Sequence, residues 1–188
     1  MRRLEWLLAV LLLCLAAPAW AAFDAPALMQ LIATHPGGTV PFEETRTLAL
    51  LDEPLTSSGE LVYQPPERLE KRTLQPQPET LIIDGDRIAI VRNGKKRELR
   101  LGQYPEMEAL IAGLRGVLLG NLPLLQQYYA LRVSGDADAW TLELTPEDRE
   151  ARRWLRHIRV RGHGNQVQSM DTEQADGDRS RIVIQPAP

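Results

Sequence analysis

The chain has 188 residues, a formal charge of −3 and 25% charged side chains. Neither sign of charge dominates, so nothing in the balance points to nucleic acid. The one cysteine, Cys14, lies in an N-terminal apolar run; disulfides, thiol catalysis and zinc–thiolate sites are thereby excluded from the rest of the chain.

Arg2 and Arg3, the apolar run Leu7–Ala17, and the small residues Ala19 and Ala21 form a secretory leader pattern, with cleavage expected after Ala21. The 11-residue run is too short to span a bilayer. Leu13, not a small residue, precedes Cys14, which does not suit lipid attachment. Residues 22–188 then make a single exported domain of 167 residues, long enough for a real core. Loss of Arg2, Arg3 and Glu5 takes the formal charge from −3 to −4. No second apolar segment of spanning length follows, so a soluble product is expected.

Asp24 and Pro26 open a short helix carrying Leu28, Met29, Leu31 and Ile32, and Pro36-Gly37-Gly38 ends it. Strands are predicted over Val40–Leu51, Gly59–Tyr63 and Arg68–Leu74, with a turn at Pro54–Ser58 and a stop at Pro65-Pro66. Thr80–Ile83, Ile88–Val91 and Lys96–Leu101 form a meander, joined by the turn pairs Asp84-Gly85 and Asn93-Gly94.

Pro105–Tyr129 is the one long helical block, and Gly120-Asn121 with Pro123 splits it in two. Its spacing places Met107, Leu110, Ile111, Leu114 and Leu118 on one face. Strands resume at Ala130–Val133, Trp140–Leu144, Trp154–Arg161, Gln166–Glu173 and Arg179–Gln185. The expected class is α+β. About ten or eleven antiparallel strands form a strongly curved sheet or unclosed β-barrel, with helices over its apolar concave face.

Catalytic patterns are missing. His35, His157 and His163 have no carboxylate at ligand spacing, and no His-Glu-x-x-His or Gly-x-Ser-x-Gly motif occurs. Glu43 and Glu44 are adjacent on a strand and face opposite sides. No enzyme, metal site or cofactor is expected. Arg149, Arg152, Arg153, Arg156, Arg159 and Arg161 fall within 13 residues. They form either a solvated sheet edge or a docking patch for an acidic partner or anionic lipid head groups. The leucine block is likewise either a core plug or a lid over space for an acyl chain.

The order of elements resembles the periplasmic outer-membrane lipoprotein carrier family (LolA). The likeness is carried by the corner Leu61-Val62-Tyr63-Gln64-Pro65-Pro66, the strand and turn Leu81-Ile82-Ile83-Asp84-Gly85, the mid-chain helices and the strand end Leu144-Thr145-Pro146. It implies an unclosed barrel, a helical lid, no catalysis and no cofactor. It also implies a monomer that takes acylated lipoprotein, or another lipid, from an inner-membrane transporter to an outer-membrane acceptor. The family's arginine before the corner proline ties lid to barrel; Pro65 stands there, with Arg68 nearby. The lid residues expected to meet lipid are Leu110, Ile111, Leu114, Leu118, Leu122 and Leu125. On the sheet they are Phe42, Leu48, Leu61, Tyr63, Leu69, Trp140 and Leu142.

Overall fold

The structure, a computed structural model, describes residues 23–185. The leader expected over residues 1–21 lies outside the described residues. Helix α1 spans Ala25–Ile32; the Asp24 side chain accepts from the Ala27 amide at 3.1 Å and caps it. Six strands follow: β1 (Gly38–Thr47), β2 (Leu55–Gln64), β3 (Arg68–Gln75), β4 (Glu79–Asp84), β5 (Arg87–Arg92) and β6 (Lys95–Arg100). Helices α2 (Pro105–Leu119) and α3 (Leu122–Tyr128) come next. The chain ends in β7 (Tyr129–Gly135), β8 (Trp140–Pro146), β9 (Leu155–His163), β10 (Gln166–Gln174) and β11 (Arg179–Ile184).

The expected break in the helical block is real. Gly120 takes a left-handed φ of 60°, and the Asn121 side chain accepts from the Leu124 amide at 3.0 Å to start α3. A β-carbon on Gly120 would stand 2.2 Å from the Met29 carbonyl oxygen. Only glycine lets the end of α2 seat against α1.

The eleven strands form one antiparallel sheet in the order β6-β5-β4-β3-β2-β1-β11-β10-β9-β8-β7. β1 pairs with β11, so the two meanders join through the first and last strands. β6 and β7 remain as unpaired edges, and the chain between them runs through α2 and α3. The sheet is therefore an unclosed barrel, and β6 guards its edge with Lys95, Lys96, Arg97 and Arg100.

Two boundaries differ from expectation. β1 ends at Thr47, and Leu48 to Pro54 form a loop rather than strand. β2 starts at Leu55, inside the segment expected as a turn, because Leu55 to Ser58 pair with Glu43 to Arg46. Residues Thr56, Ser57 and Ser58 extend readily once a partner strand supplies their hydrogen bonds, and Pro54 breaks the chain just before them.

Paired residues of neighbouring strands project to the same face. One row runs Tyr63, Leu69, Ile83, Ile88, Leu99 across β2 to β6. Another runs Val133, Leu142, Val160, Met170, Ile182 across β7 to β11, then reaches Glu44 on β1. This inner face is apolar where the helices pack on it, in two clusters on either side, and polar at Glu44. The outer face is a charge ladder: Arg132, Glu143, Arg159, Asp171 and Arg181 are successive partners across five strands.

β9 lies between β8 and β10, so the arginine run is not a sheet edge. Nor is it one patch. Arg159 bonds Glu143 at 2.9 Å, and Arg161 pairs with Asp171, both on the outer face. Arg156 reaches Glu173 at 3.3 Å, and Arg153 reaches Glu150 at 2.9 Å. Arg149 and Arg152 are exposed and make no ion pair among the described residues. Register, which alternates side chains between faces, separates residues that a linear count puts together.

Candidate functional site

Helix α2 is wedged between two apolar clusters. On one flank Ala109 and Val117 join Leu28, Met29, Ile32, Leu125, Tyr129, Trp140, Leu142 and Leu144 in the larger cluster. On the other flank Ile111 joins Leu69, Ile83 and Ile88, with Met107, Leu114 and Leu118 packed against them. The helix thus uses two stripes where the spacing suggested one. Leu110 packs on the larger cluster, away from Met107, Ile111, Leu114 and Leu118.

The residues expected to meet lipid divide accordingly. Leu125, Trp140 and Leu142 are fully buried in the larger cluster, with Leu110 and Leu122 packed against it. Leu69 and Ile111 are buried in the smaller one, with Tyr63, Leu114 and Leu118 beside them. Phe42 is buried on β1 and Leu61 is half-buried on β2, but both lie outside the two clusters. Leu48 falls on the loop after β1, remote in the chain from every helix of the lid. Trp140 is locked in place: its Nε1 donates to the Gly164 carbonyl at 2.9 Å, and a β-carbon on Gly162 would stand 2.1 Å from its ring.

Helices α2 and α3 pack against the sheet in this structure. A cavity of about 230 Å³ lies where α2 and α3 meet the β4–β5 turn, lined by Asp86, Leu101, Ile111, Ala112, Arg115 and Leu124 among others. That is below the roughly 300–1,000 Å³ typical of small-molecule sites. Arg115 is the one basic residue in its lining. Its Nη2 donates to the Gly85 carbonyl, while its Nε is buried without a partner among the described residues. Burial pulls its pKa below the ordinary value, against the opposing pull of Glu67, Asp84 and Asp86. Across the same seam Tyr128 donates to Glu108 Oε1 at 3.0 Å.

Arg68 does not tie the lid. It binds Glu70, and Asp84 at 3.3 Å, on the outer face. Arg115 makes the connection from the helix side instead. Arg115 is the only basic residue between Pro105 and Tyr129; a lone cation in an apolar helix is the signal the sequence offers for this contact.

A second cavity, about 330 Å³, is polar and lined by Glu43, Glu44, Thr45, Thr56, Ser57, Ser58, Gln75 and Pro76. Glu44 lies on the inner face and is only 7% exposed. It pairs with Lys71 and accepts from Ser180 Oγ at 2.7 Å and Ser57 Oγ at 3.2 Å. Lys71 in turn stands 5.2 Å above the Phe42 ring. Burial raises the Glu44 carboxyl, but the bonds from Lys71 and Ser180 outweigh it and hold the pKa below the usual 4.5. Glu70, bonded by Arg72 and Arg68 on the outer face, is depressed in the same way.

A depressed folded-state pKa stabilises above the unfolded value and is lost as pH falls through the folded one. Thermal stability is therefore expected to hold down to about pH 4.5 and then fall, as both carboxylates protonate. Melting curves across acid pH check this; an equally steep fall in Glu44→Gln and Glu70→Gln would remove these two groups as its cause.

No cluster of three or more His, Cys, Asp or Glu suited to a metal occurs among the described residues, and no described helix is long and apolar enough to cross a membrane. A comparison with curated proteins finds no match in sequence. Solved structures similar to this chain include three from different bacteria. A LolA superfamily protein of Nitrosomonas europaea is 11% identical, covering 88% of this chain and 93% of that one, at a TM-score of 0.48. A chain of the Pseudomonas aeruginosa MucA/MucB complex is 14% identical, covering 88% and 58%, at 0.44. The lipoprotein LppX of Mycobacterium tuberculosis is 10% identical, covering 88% and 99%, at 0.43. Over residues 16–188 the sequence matches the family described as outer membrane lipoprotein carrier protein LolA-like. With that match spanning nearly its whole length, the chain belongs to the LolA-like family.

Proposed function

We propose that this protein is a non-enzymatic periplasmic carrier that shelters acyl chains between the inner face of its sheet and helices α2 and α3. Residues 1–21 act as the export leader and residues 22–188 as the one carrier domain. The observation that carries this reading is the seat of α2. It lies over an apolar sheet face, between two strand edges that never pair, so lifting it breaks no strand–strand hydrogen bond. Family membership supports acylated lipoprotein as cargo, handed over from an inner-membrane transporter to an outer-membrane acceptor.

The energetics permit the exchange. Uncovering Ile111, Leu114 and Leu118 costs about 1.5–3 kcal/mol each, roughly 5–9 in all. Each methylene of a guest returns about 0.8 kcal/mol, so roughly six to eleven methylenes match that cost. Cargo then shifts the lid by binding its open form more tightly.

Lipid mass spectrometry on protein purified after export, with displacement of a fluorescent fatty acid, tests the reading. Bound acyl lipid and saturable displacement are expected. Repeated absence of both would end it.

A further inference from the structure

Among the described residues, the large apolar side chains left exposed are Leu50 (97%), Leu51 (47%), Leu55 (48%), Leu74 (53%) and Trp154 (57%). All five lie at one end of the sheet. Leu50 and Leu51 sit on the β1–β2 loop, Leu55 begins β2, Leu74 is near the end of β3, and Trp154 directly precedes β9. The opposite end is polar, turning through Asp84-Gly85-Asp86, Asp136 to Asp138 and His163 to Asn165. The apolar end is one continuous structure. The Ala49 amide donates to Asp178 Oδ1 at 2.9 Å, joining the leucine loop to the β10–β11 turn. The Ala175 amide of that turn donates to the Trp154 carbonyl at 3.0 Å. From β3 to β9 is five strand spacings, about 24 Å across.

We infer that this end of the barrel docks on the surface of a phospholipid bilayer containing anionic lipid. Apolar side chains spread over one loop, two strand ends and the residue before β9 form a broad rim, which suits a soft interface better than a fitted pocket. Tryptophan beside arginine is the side-chain pairing that bilayer interfaces favour. Charge agrees at both flanks. Arg149 and Arg152 stand exposed in the loop before Trp154, interspersed with Glu147, Asp148 and Glu150. Lys95 stands exposed where β6 begins at the same end, next to Lys96, which pairs with Glu98 at 2.6 Å. These basic side chains attract anionic head groups. Asp52 and Glu53 follow the leucine loop and keep it from burying deeply. The inference goes beyond cargo carriage, since it concerns where the molecule rests rather than what it holds.

The test is flotation of the exported, processed protein with vesicles of phosphatidylethanolamine and phosphatidylglycerol. Trp154 is a built-in reporter, because Trp140, the other described tryptophan, is buried. Co-flotation is expected, with a blue shift of Trp154 emission and quenching by brominated acyl chains. Trp154→Phe removes that signal. Leu50→Asp with Leu51→Asp should weaken partition by about a hundredfold, roughly tenfold per leucine. Both side chains are exposed, so folding should be untouched, and fatty-acid displacement by this variant should match the parent. That control separates failure of the rim from failure of the carrier reading. Absence of flotation and shift, or unchanged flotation of the double variant, overturns the inference. A protein cross-linked at position 50 without vesicle binding also overturns it, and assigns the rim to a protein partner.

Discussion

Truncation of Leu142 or Leu125 to alanine is expected to cost about 2–5 kcal/mol each. Both side chains are completely buried in the larger cluster, where α1, α2 and α3 close on β7 to β9. Removing their methyl groups leaves a cavity that close-packed neighbours cannot collapse to fill. Leu114→Ala and Leu118→Ala should behave differently. Both are only half-buried, packed on the smaller cluster over β3 to β5. Their truncation should cost less than about 2 kcal/mol, below the range for fully buried leucines. Their main effect should be on capture of a fluorescent fatty acid. Urea titration and displacement assays on the four variants resolve the contrast. Equal losses of stability at all four sites, with lipid uptake unchanged, would mean that both flanks of α2 are permanent core and no lid exists.

Arg115 should give opposite results with two replacements. Arg115→Ala deletes the tie to the Gly85 carbonyl and leaves space behind. A hydrogen bond from a charged donor is worth about 1.5–3 kcal/mol, so the open lid should gain roughly ten- to a hundredfold in population. Faster uptake of a fluorescent fatty acid reports this in stopped flow. Arg115→Met also loses the tie, yet removes a half-buried guanidinium whose Nε has no partner. Unlike alanine, an apolar side chain of similar length fills the same space and leaves no buried polar atom unsatisfied, a replacement that is often neutral or stabilising. Uptake by the methionine variant should match or fall below the parent rate. Acceleration in both variants to the same degree would show that the bond alone holds the lid and that the orphaned nitrogen costs nothing.

The pattern of turns and breaks was readable without coordinates. Asn93-Gly94 is a hairpin turn as expected, with φ values of 52° and 72°. The other turn falls one residue later than expected, at Gly85-Asp86 between the paired Asp84 and Arg87, with Gly85 at 56°. Gly120 and Asn121 stop one helix and start the next for reasons local to those residues. Such features depend on backbone torsion and near-neighbour hydrogen bonds, which the chain carries in its order. Leu48 to Leu51 look like strand by composition, yet they lie in the loop between β1 and β2. Whether an apolar tetrapeptide lies in a sheet or beyond its end depends on where the partner strand runs out.

The α+β class is carried by the order of the chain, in its short antiparallel strands and one leucine-rich helical block. These follow from local propensity. Tertiary structure alone decided that α2 packs on two flanks, that Arg115 rather than Arg68 ties it down, and that the arginine run splits between an outer-face ladder and loose loop charges. It also gathered Leu50, Leu51, Leu55, Leu74 and Trp154 at one end of the barrel from positions 104 residues apart. Pairing between strands distant in sequence sets those neighbours. A one-residue change of register would send every side chain of a strand to the opposite face.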